Sequence, residues 1–144
     1  MTPNPILVAK ENVPLVVDNI ATNIASVLES YTMGEFSARS LVENLVAGHA
    51  QLWLHVEGRN VAAWAVTEIA VYKDLKRLRF MLMGGKDMND WLDDIDYITA
   101  WSKQFGCSEV ELWVRPGLRK KLEKFGFRKT YEVVTKRINN GALQ

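Results

Sequence analysis

One cysteine, two histidines and four prolines in 144 residues are few, and each scarcity closes off a class of protein. A lone Cys107 cannot form a disulfide within the chain. With only His49 and His55 beside it, no metal-ligand spacing arises, so no zinc site is expected. No motif supports a Cys-His or Ser-His-Asp nucleophile either, and Cys107, between Gly106 and a strand pattern, reads as a small packing residue. Apolar runs stay well short of the roughly 20 residues that a membrane-crossing helix needs. The first residues lack a basic segment followed by an apolar core, so a cytoplasmic location is expected, in a cell or in a virus-infected cell. With no repeat, low-complexity tract or Pro/Ser-rich linker, residues 1–144 read as one domain.

What the chain does have is apolar material: 48% of its residues are hydrophobic and 24% charged, which suits a globular domain with one real core and argues against disorder. The net charge of +1 hides an asymmetry. Residues 1–72 hold three basic and seven acidic side chains, residues 73–112 six and eight, and residues 113–144 nine and two. Nucleic-acid binding is not expected of this basic end. No stacking aromatics interleave with Arg119, Lys120, Lys121 and Lys124, and a solvated helix face accounts for the run.

Periodicity supplies the elements. A short strand is predicted at Ile6–Lys10, then a helix capped by Asn12, with Pro14 in its first turn and an apolar face at Val13, Val16, Val17, Ile20, Ile24 and Val27. A second helix is marked by Ser37 as cap, by Leu41, Val42 and Leu45 at helical spacing, and by Gly48 as stop. The stretch QLWLHVEGRNVAAWAVTEIAVY then changes to period two and turns at Glu57-Gly58-Arg59-Asn60, a hairpin signal. Leu52, Leu54 and Val56 share one face while Trp53 and His55 share the other, so both faces are covered and His55 reads as a strand residue with a hydrogen-bonded ring.

A third strand, Leu78–Met83, runs through Gly84-Gly85 into a helix of about five turns. Met88, Trp91, Leu92, Ile95, Ile98, Trp101 and Phe105 form its inner stripe, and Asp90, Asp93, Asp94 and Asp96 its outer one; Asp87 caps it and Gly106 stops it. Ser108–Val114 follows as a strand parallel to Leu78–Met83, because a whole helix separates the two. A short basic helix with Leu118, Leu122 and Phe125 inside, and a last strand from Phe127, complete the chain.

This order of elements, with AWSKQFGCSEVELWV followed by LRKKLEKFGFRKTYEVV, resembles the GNAT superfamily of acyl-CoA-dependent N-acyltransferases over nearly the whole chain. Gly106-Cys107 and Gly126-Phe127 stand where that family commonly has Gly-Cys and Gly-Phe. The resemblance implies an α/β (α+β) fold. Its central sheet would be mixed, antiparallel at the N-terminal strands, with a splayed parallel pair joined by the long helix and about four flanking helices. It also implies acetyl-CoA or another acyl-CoA as cofactor and an amine as acceptor. The acyl-pantetheine arm would lie along the strand edge at Leu82 and Met83. The pyrophosphate would rest on the turn made by Gly84, Gly85, Lys86, Asp87, Met88 and Asn89, where the first helical N–H groups lack partners.

The chain departs from the family's pattern in two places. The family's turn commonly reads Arg or Gln, two residues, Gly, one residue, Gly or Ala. Here Gly84-Gly85 stand as a pair before Lys86, and Asp87, Asp90, Asp93 and Asp94 gather where a phosphate would sit. The family's tyrosine acid, four residues before the Gly of Gly-Phe, corresponds to Leu122. The resemblance leaves Glu68 as first choice of general base, Glu111 across the cleft as second, and Tyr131 as the nearest substitute acid. A reading of another class follows from the same departures. The chain would be a non-catalytic protein keeping the scaffold for partner binding, homo-oligomerisation or virion assembly, like the short GNAT-like proteins of tailed bacteriophages.

Overall fold

The computed structural model describes residues 4–32, 34–85, 88–114 and 116–138. The chain forms two compact units, Met1–Trp113 and Val114–Gln144. In the first, strands β1 (Ile6–Leu7), β2 (Gln51–Glu57), β3 (Asn60–Val71), β4 (Lys76–Gly84) and β5 (Glu109–Leu112) form one sheet in sequence order. The first three pairings are antiparallel and β4–β5 is parallel. Helices α1 (Val13–Asn19), α2 (Ala21–Tyr31) and α3 (Ala38–Ala47) precede β2, and α4 (Met88–Ser102) makes the crossover between the parallel pair. This is the mixed sheet that the order of periodic segments implies.

Where periodicity predicts one helix after β1, two form. The chain breaks at Ile20 (φ −113°, ψ 14°), whose N–H is shared between the carbonyls of Val16 and Val17 at 3.2 Å each. The apolar face continues across the break, and Val13, Ile20, Ile24 and Val27 are all buried. Asn12 precedes α1 without a side-chain cap hydrogen bond. A 3-10 turn at Lys10–Asn12 leads in instead and ends β1 earlier than its apolar run suggests. α3 matches its signals: Ser37 and Ser40 form a reciprocal capping box, and Gly48, at φ 82°, closes the helix in the left-handed conformation.

One face of the sheet meets α1–α3 in a cluster that contains Ile24, Leu41, Leu45, Leu52, Leu54, Trp64, Val66 and Leu82. The opposite face meets α4, where Trp101 sits edge-on to Trp53 at 5.0 Å and Asp94 reaches His55. Trp91, Ile95 and Ile98, spaced three and four apart on the same side of α4, are buried. The sequence pattern puts Asp94 on the solvent side, but it is buried. A helix stripe one residue wider than the apolar set takes in this position, and a ring nitrogen of His55 waits there at 2.9 Å.

A β-bulge sets the faces of β4. Val66 pairs with Leu82 and Thr67 with Phe80, so Met81 is the extra residue. Glu68 pairs with Arg79, and opposed residues share a face, so Arg79 and Leu82, three apart, both point to the α1–α3 side. Parallel pairing with β5 runs from Arg77↔Glu109 to Phe80↔Leu112 and stops there, whereas β4 continues to Gly84. β4 therefore runs on past the end of β5, and the point beyond Phe80 where it does so is termed the fork.

The second unit contains α5 (Pro116–Glu123). Residues 127–138, expected as a final strand, have no strand conformation. A strand needs a neighbour to take its backbone N–H and C=O groups, and the described residues of this unit hold no other extended segment that could serve. Alternation of Tyr131, Val133 and Thr135 alone does not supply that neighbour.

Candidate active site

The fork between β4 and β5 opens onto two features: a bare stretch of strand edge and a small charged pocket. Along Met81–Gly84 the side of β4 that faced β5 has no strand partner among the described residues, while Leu82–Gly84 stay paired to β3 on the other side. Leu82 is buried in the helix-side core and Met83 is half-buried. At the root of the fork a cavity of about 250 Å³ is lined by Phe36, Glu68, Arg79, Met81 and Trp113.

Alternating charges on two parallel strands build the polar wall. Arg77 lies directly across from Glu109, and Arg79 from Glu111. Arg77 Nε donates to Glu109 Oε1 at 2.7 Å, and Arg79 Nε donates to Glu111 Oε2 at 2.8 Å. From β3, Glu68 Oε1 accepts from Arg79 Nη1 at 2.6 Å. The Tyr72 hydroxyl accepts from Arg79 Nη2 at 2.7 Å and donates to Glu111 Oε1 at 3.0 Å. Trp113 Nε1 donates to Glu111 Oε2 at 2.7 Å, and its ring lies 5.1 Å from the Arg79 guanidinium carbon.

The two glutamates differ in the number of donors they meet, four on Glu111 and one on Glu68 among the described residues. Burial works against ionisation of Glu111, but hydrogen bonds from Trp113, Arg79 and Tyr72 outweigh it and hold the carboxyl below its ordinary range. A carboxylate so held is a weak base and a good counter-ion. Arg79, in turn, is kept protonated more firmly than usual: burial opposes its charge, and Tyr72, Glu111 and Glu68 more than compensate. Glu68 has one oxygen, Oε1, on Arg79, and among the described residues its Oε2 accepts no recorded hydrogen bond. Of the five N–H groups of the Arg79 guanidinium, three have recorded partners among the described residues.

The glycine pair has an internal explanation. A Cβ on Gly84 would come within 2.6 Å of both Asn23 Oδ1 and Trp64 Nε1, which hydrogen-bond to each other at 2.5 Å. Gly85 sits at φ 102°, and a Cβ there would meet Ala63 Cα at 2.7 Å. The chain's own packing thus requires both glycines. Lys86 and Asp87 lie outside the described residues, and Met88 and Asn89 open α4. Asp94, buried on His55, is removed from the group of aspartates that would oppose a phosphate. A larger cavity, about 480 Å³, borders Gly85 on the α2 side, but Asn19, Thr22, Asn23, Ser26, Trp64 and its other lining residues include no titratable group.

Of the candidate site residues, Glu68 lines the pocket, Glu111 is linked to it through Arg79, and Leu82, Met83, Gly84 and Gly85 follow one another past the end of the β4–β5 pairing. Tyr131 belongs to the second unit, in the stretch without helix or strand. Phe36, Arg79 and Trp113 line the pocket and Tyr72 hydrogen-bonds to Arg79, though none of the four is among the candidate site residues read from the sequence. A signal for two of the partners was present: Arg-x-Arg in RLRFMLM and Glu-x-Glu in SEVELWV, on strands predicted to be parallel neighbours, can face each other pair by pair.

This mixed sheet, antiparallel except for its β4–β5 pair, has the GNAT α/β fold. The chain superposes on a predicted acetyltransferase from Clostridium acetobutylicum solved with acetyl-CoA (TM-score 0.65, 13% identity, 93% of this chain and 95% of the other). It likewise matches a ribosomal-protein-alanine N-acetyltransferase from Brucella melitensis (TM-score 0.68, 12% identity, 94% and 100%). An aminoglycoside N-acetyltransferase in complex with CoA is similar to the same degree (TM-score 0.67, 13% identity, 94% of each chain). At these identities the likeness is one of fold. No protein-family model matches the sequence, and no curated protein sequence matches it.

Proposed function

We propose that this chain is an N-acyltransferase that moves an acyl group, acetyl in the simplest case, from an acyl-CoA to an amine. The observation that carries this reading is the fork: a strand edge free of β5 from Met81 to Gly84, ending at a pocket with a carboxylate in its wall. That free edge suits the amides of a pantetheine arm, which would be held by the backbone at Leu82 and Met83 as an added strand would be. Bound acyl-CoA supplies an activated thioester carbonyl. Glu68 would take one proton from the acceptor ammonium; the neutral nitrogen would then form the C–N bond as the thioester C–S bond breaks, and CoA would leave as the thiol with the second proton that the nitrogen sheds. Arg79 and Glu111 position Glu68 and keep the site's charges fixed, and Phe36, Met81 and Trp113 exclude water from the acceptor. Structural neighbours solved with acetyl-CoA or CoA support the cofactor class.

The test is a transfer assay with acetyl-CoA over a panel of amines. Turnover is expected, with Glu68→Gln lowering kcat by about 10²–10⁴. No calorimetric binding of acetyl-CoA or CoA at millimolar ligand would overturn the reading.

A second reading has its own support. Gly84 and Gly85 are spent on packing, and Glu111 is tied up as a counter-ion, so the same scaffold could serve as a non-catalytic binding module, in a virion or elsewhere. Acyl-CoA binding without turnover on any amine would favour it.

A further inference from the structure

The acceptor pocket presents two opposite charges side by side, and this limits what fits it. Glu68 and Arg79 touch at 2.6 Å and both line the cavity. Each keeps unused capacity among the described residues: Oε2 of Glu68 as acceptor, and two guanidinium N–H groups of Arg79 as donors. A ligand with a lone ammonium would engage the carboxylate and leave two arginine donors unmet. A ligand with several ammonium groups would set one of them against Arg79. A molecule carrying an ammonium and a carboxylate a few bonds apart satisfies both walls at once, lying head to tail against the ion pair.

The remaining walls are Phe36, Met81 and Trp113, an apolar and aromatic surround. The volume, about 250 Å³, falls under the roughly 300–1,000 Å³ typical of drug-sized ligand sites. Arg79 is held from three sides and stacked on Trp113, so its fork is in place before a ligand arrives and little ordering is lost on binding.

We infer that the acceptor is zwitterionic: an α-amino acid with an apolar or aromatic side chain, its carboxylate on Arg79, its amino group on Glu68, and its side chain among Phe36, Met81 and Trp113. This rests on the acyltransferase reading for the name acceptor, but the pocket's preference can be measured without a cofactor.

The experiment is a calorimetric or NMR titration of the full chain with L-phenylalanine, L-methionine and L-leucine. Each is compared with the amine lacking the carboxylate and the acid lacking the amino group, 2-phenylethylamine and 3-phenylpropionate for the first. At least one amino acid is expected to bind about tenfold or more tightly than both of its truncated forms. Arg79→Lys, which keeps the charge but loses the planar fork, is expected to reduce that preference several-fold, as is Glu68→Gln, which alters one charge within the same side-chain shape. An amine that binds as well as its parent amino acid overturns the inference, as does the absence of binding by all three amino acids. Parallel titration with acetyl-CoA keeps the two readings apart. Amine-selective turnover would sink the zwitterion while leaving the acyltransferase, and amino-acid binding without acetyl-CoA binding would do the reverse.

Discussion

Glu111 receives four hydrogen-bond donors on two oxygens: Arg77 and Tyr72 on Oε1, Arg79 and Trp113 on Oε2. Removing its charge without changing its shape should therefore be felt in stability more than in chemistry. Glu111→Gln is expected to cost about 1–3 kcal/mol at neutral pH, because two arginines lose a charged acceptor and the amide nitrogen cannot accept at all. The sign of the pH dependence follows from the depressed folded-state value. Glu111 adds stability above the ordinary glutamate pKa of the unfolded chain, and the contribution disappears as pH falls through the lower folded value. Urea titrations of both proteins should give midpoints that differ at pH 7 and draw together as pH is lowered below the ordinary glutamate range. A gap that keeps its size would show that Glu111 acts by packing alone.

At the scale of elements, the segments that could be read correctly are those whose cause is local. α3 has its capping serine, its apolar spacing and its stop glycine within a dozen residues, and the β2–β3 hairpin has Gly58 at the turn. The break at Ile20, the bulge at Met81 and the missing final strand depend on what lies across the core or beside the strand, so no short window contains their cause. The bulge matters most for the site, because it places Arg79 on the same face as Glu68 and Leu82. Simple alternation along RLRFMLM puts Arg79 and Leu82 on opposite faces. Asp94 was misread for a related reason: a carboxylate in a polar stripe gives no sign that a histidine faces it from another element.

The His55–Asp94 contact fastens α4 to β2. Its side chains are 2% and 5% exposed, and the nitrogen and oxygen lie 2.9 Å apart, although the ring N–H is not aligned for a full hydrogen bond. Glu57, at 3.7 Å from the other ring nitrogen, is the remaining nearby charge. Removing Asp94 leaves the buried His55 Nδ1 facing an apolar side chain, so Asp94→Leu is expected to destabilise by about 1–3 kcal/mol. Replacing both, His55→Phe with Asp94→Leu, should recover much of that loss. A double-mutant cycle read by urea denaturation measures the difference, and additive single and double effects would mean that the two residues do not interact.

On the scale of the whole molecule, the first requirement of the acyltransferase reading is that the cofactor's binding energy reaches the folded state. A ligand held only by the native fork must raise unfolding free energy by RT ln(1 + [L]/Kd), about 2.7 kcal/mol when its concentration is a hundred times Kd. For a chain of this length that is a rise of several degrees in the unfolding midpoint. Because the proposed hold is on backbone amides at Leu82 and Met83 rather than on the acyl group, acetyl-CoA and free CoA are expected to give nearly equal shifts. Adenosine alone, which cannot lie along β4, should give almost none. A shift from adenosine as large as that from CoA would move the binding site away from the fork and leave the four-residue gap in the β4–β5 pairing without a ligand. Equal shifts from CoA and acetyl-CoA, together with an acceptor that is consumed only when Glu68 is intact, would tie the open strand edge and the charged pocket into one reaction path.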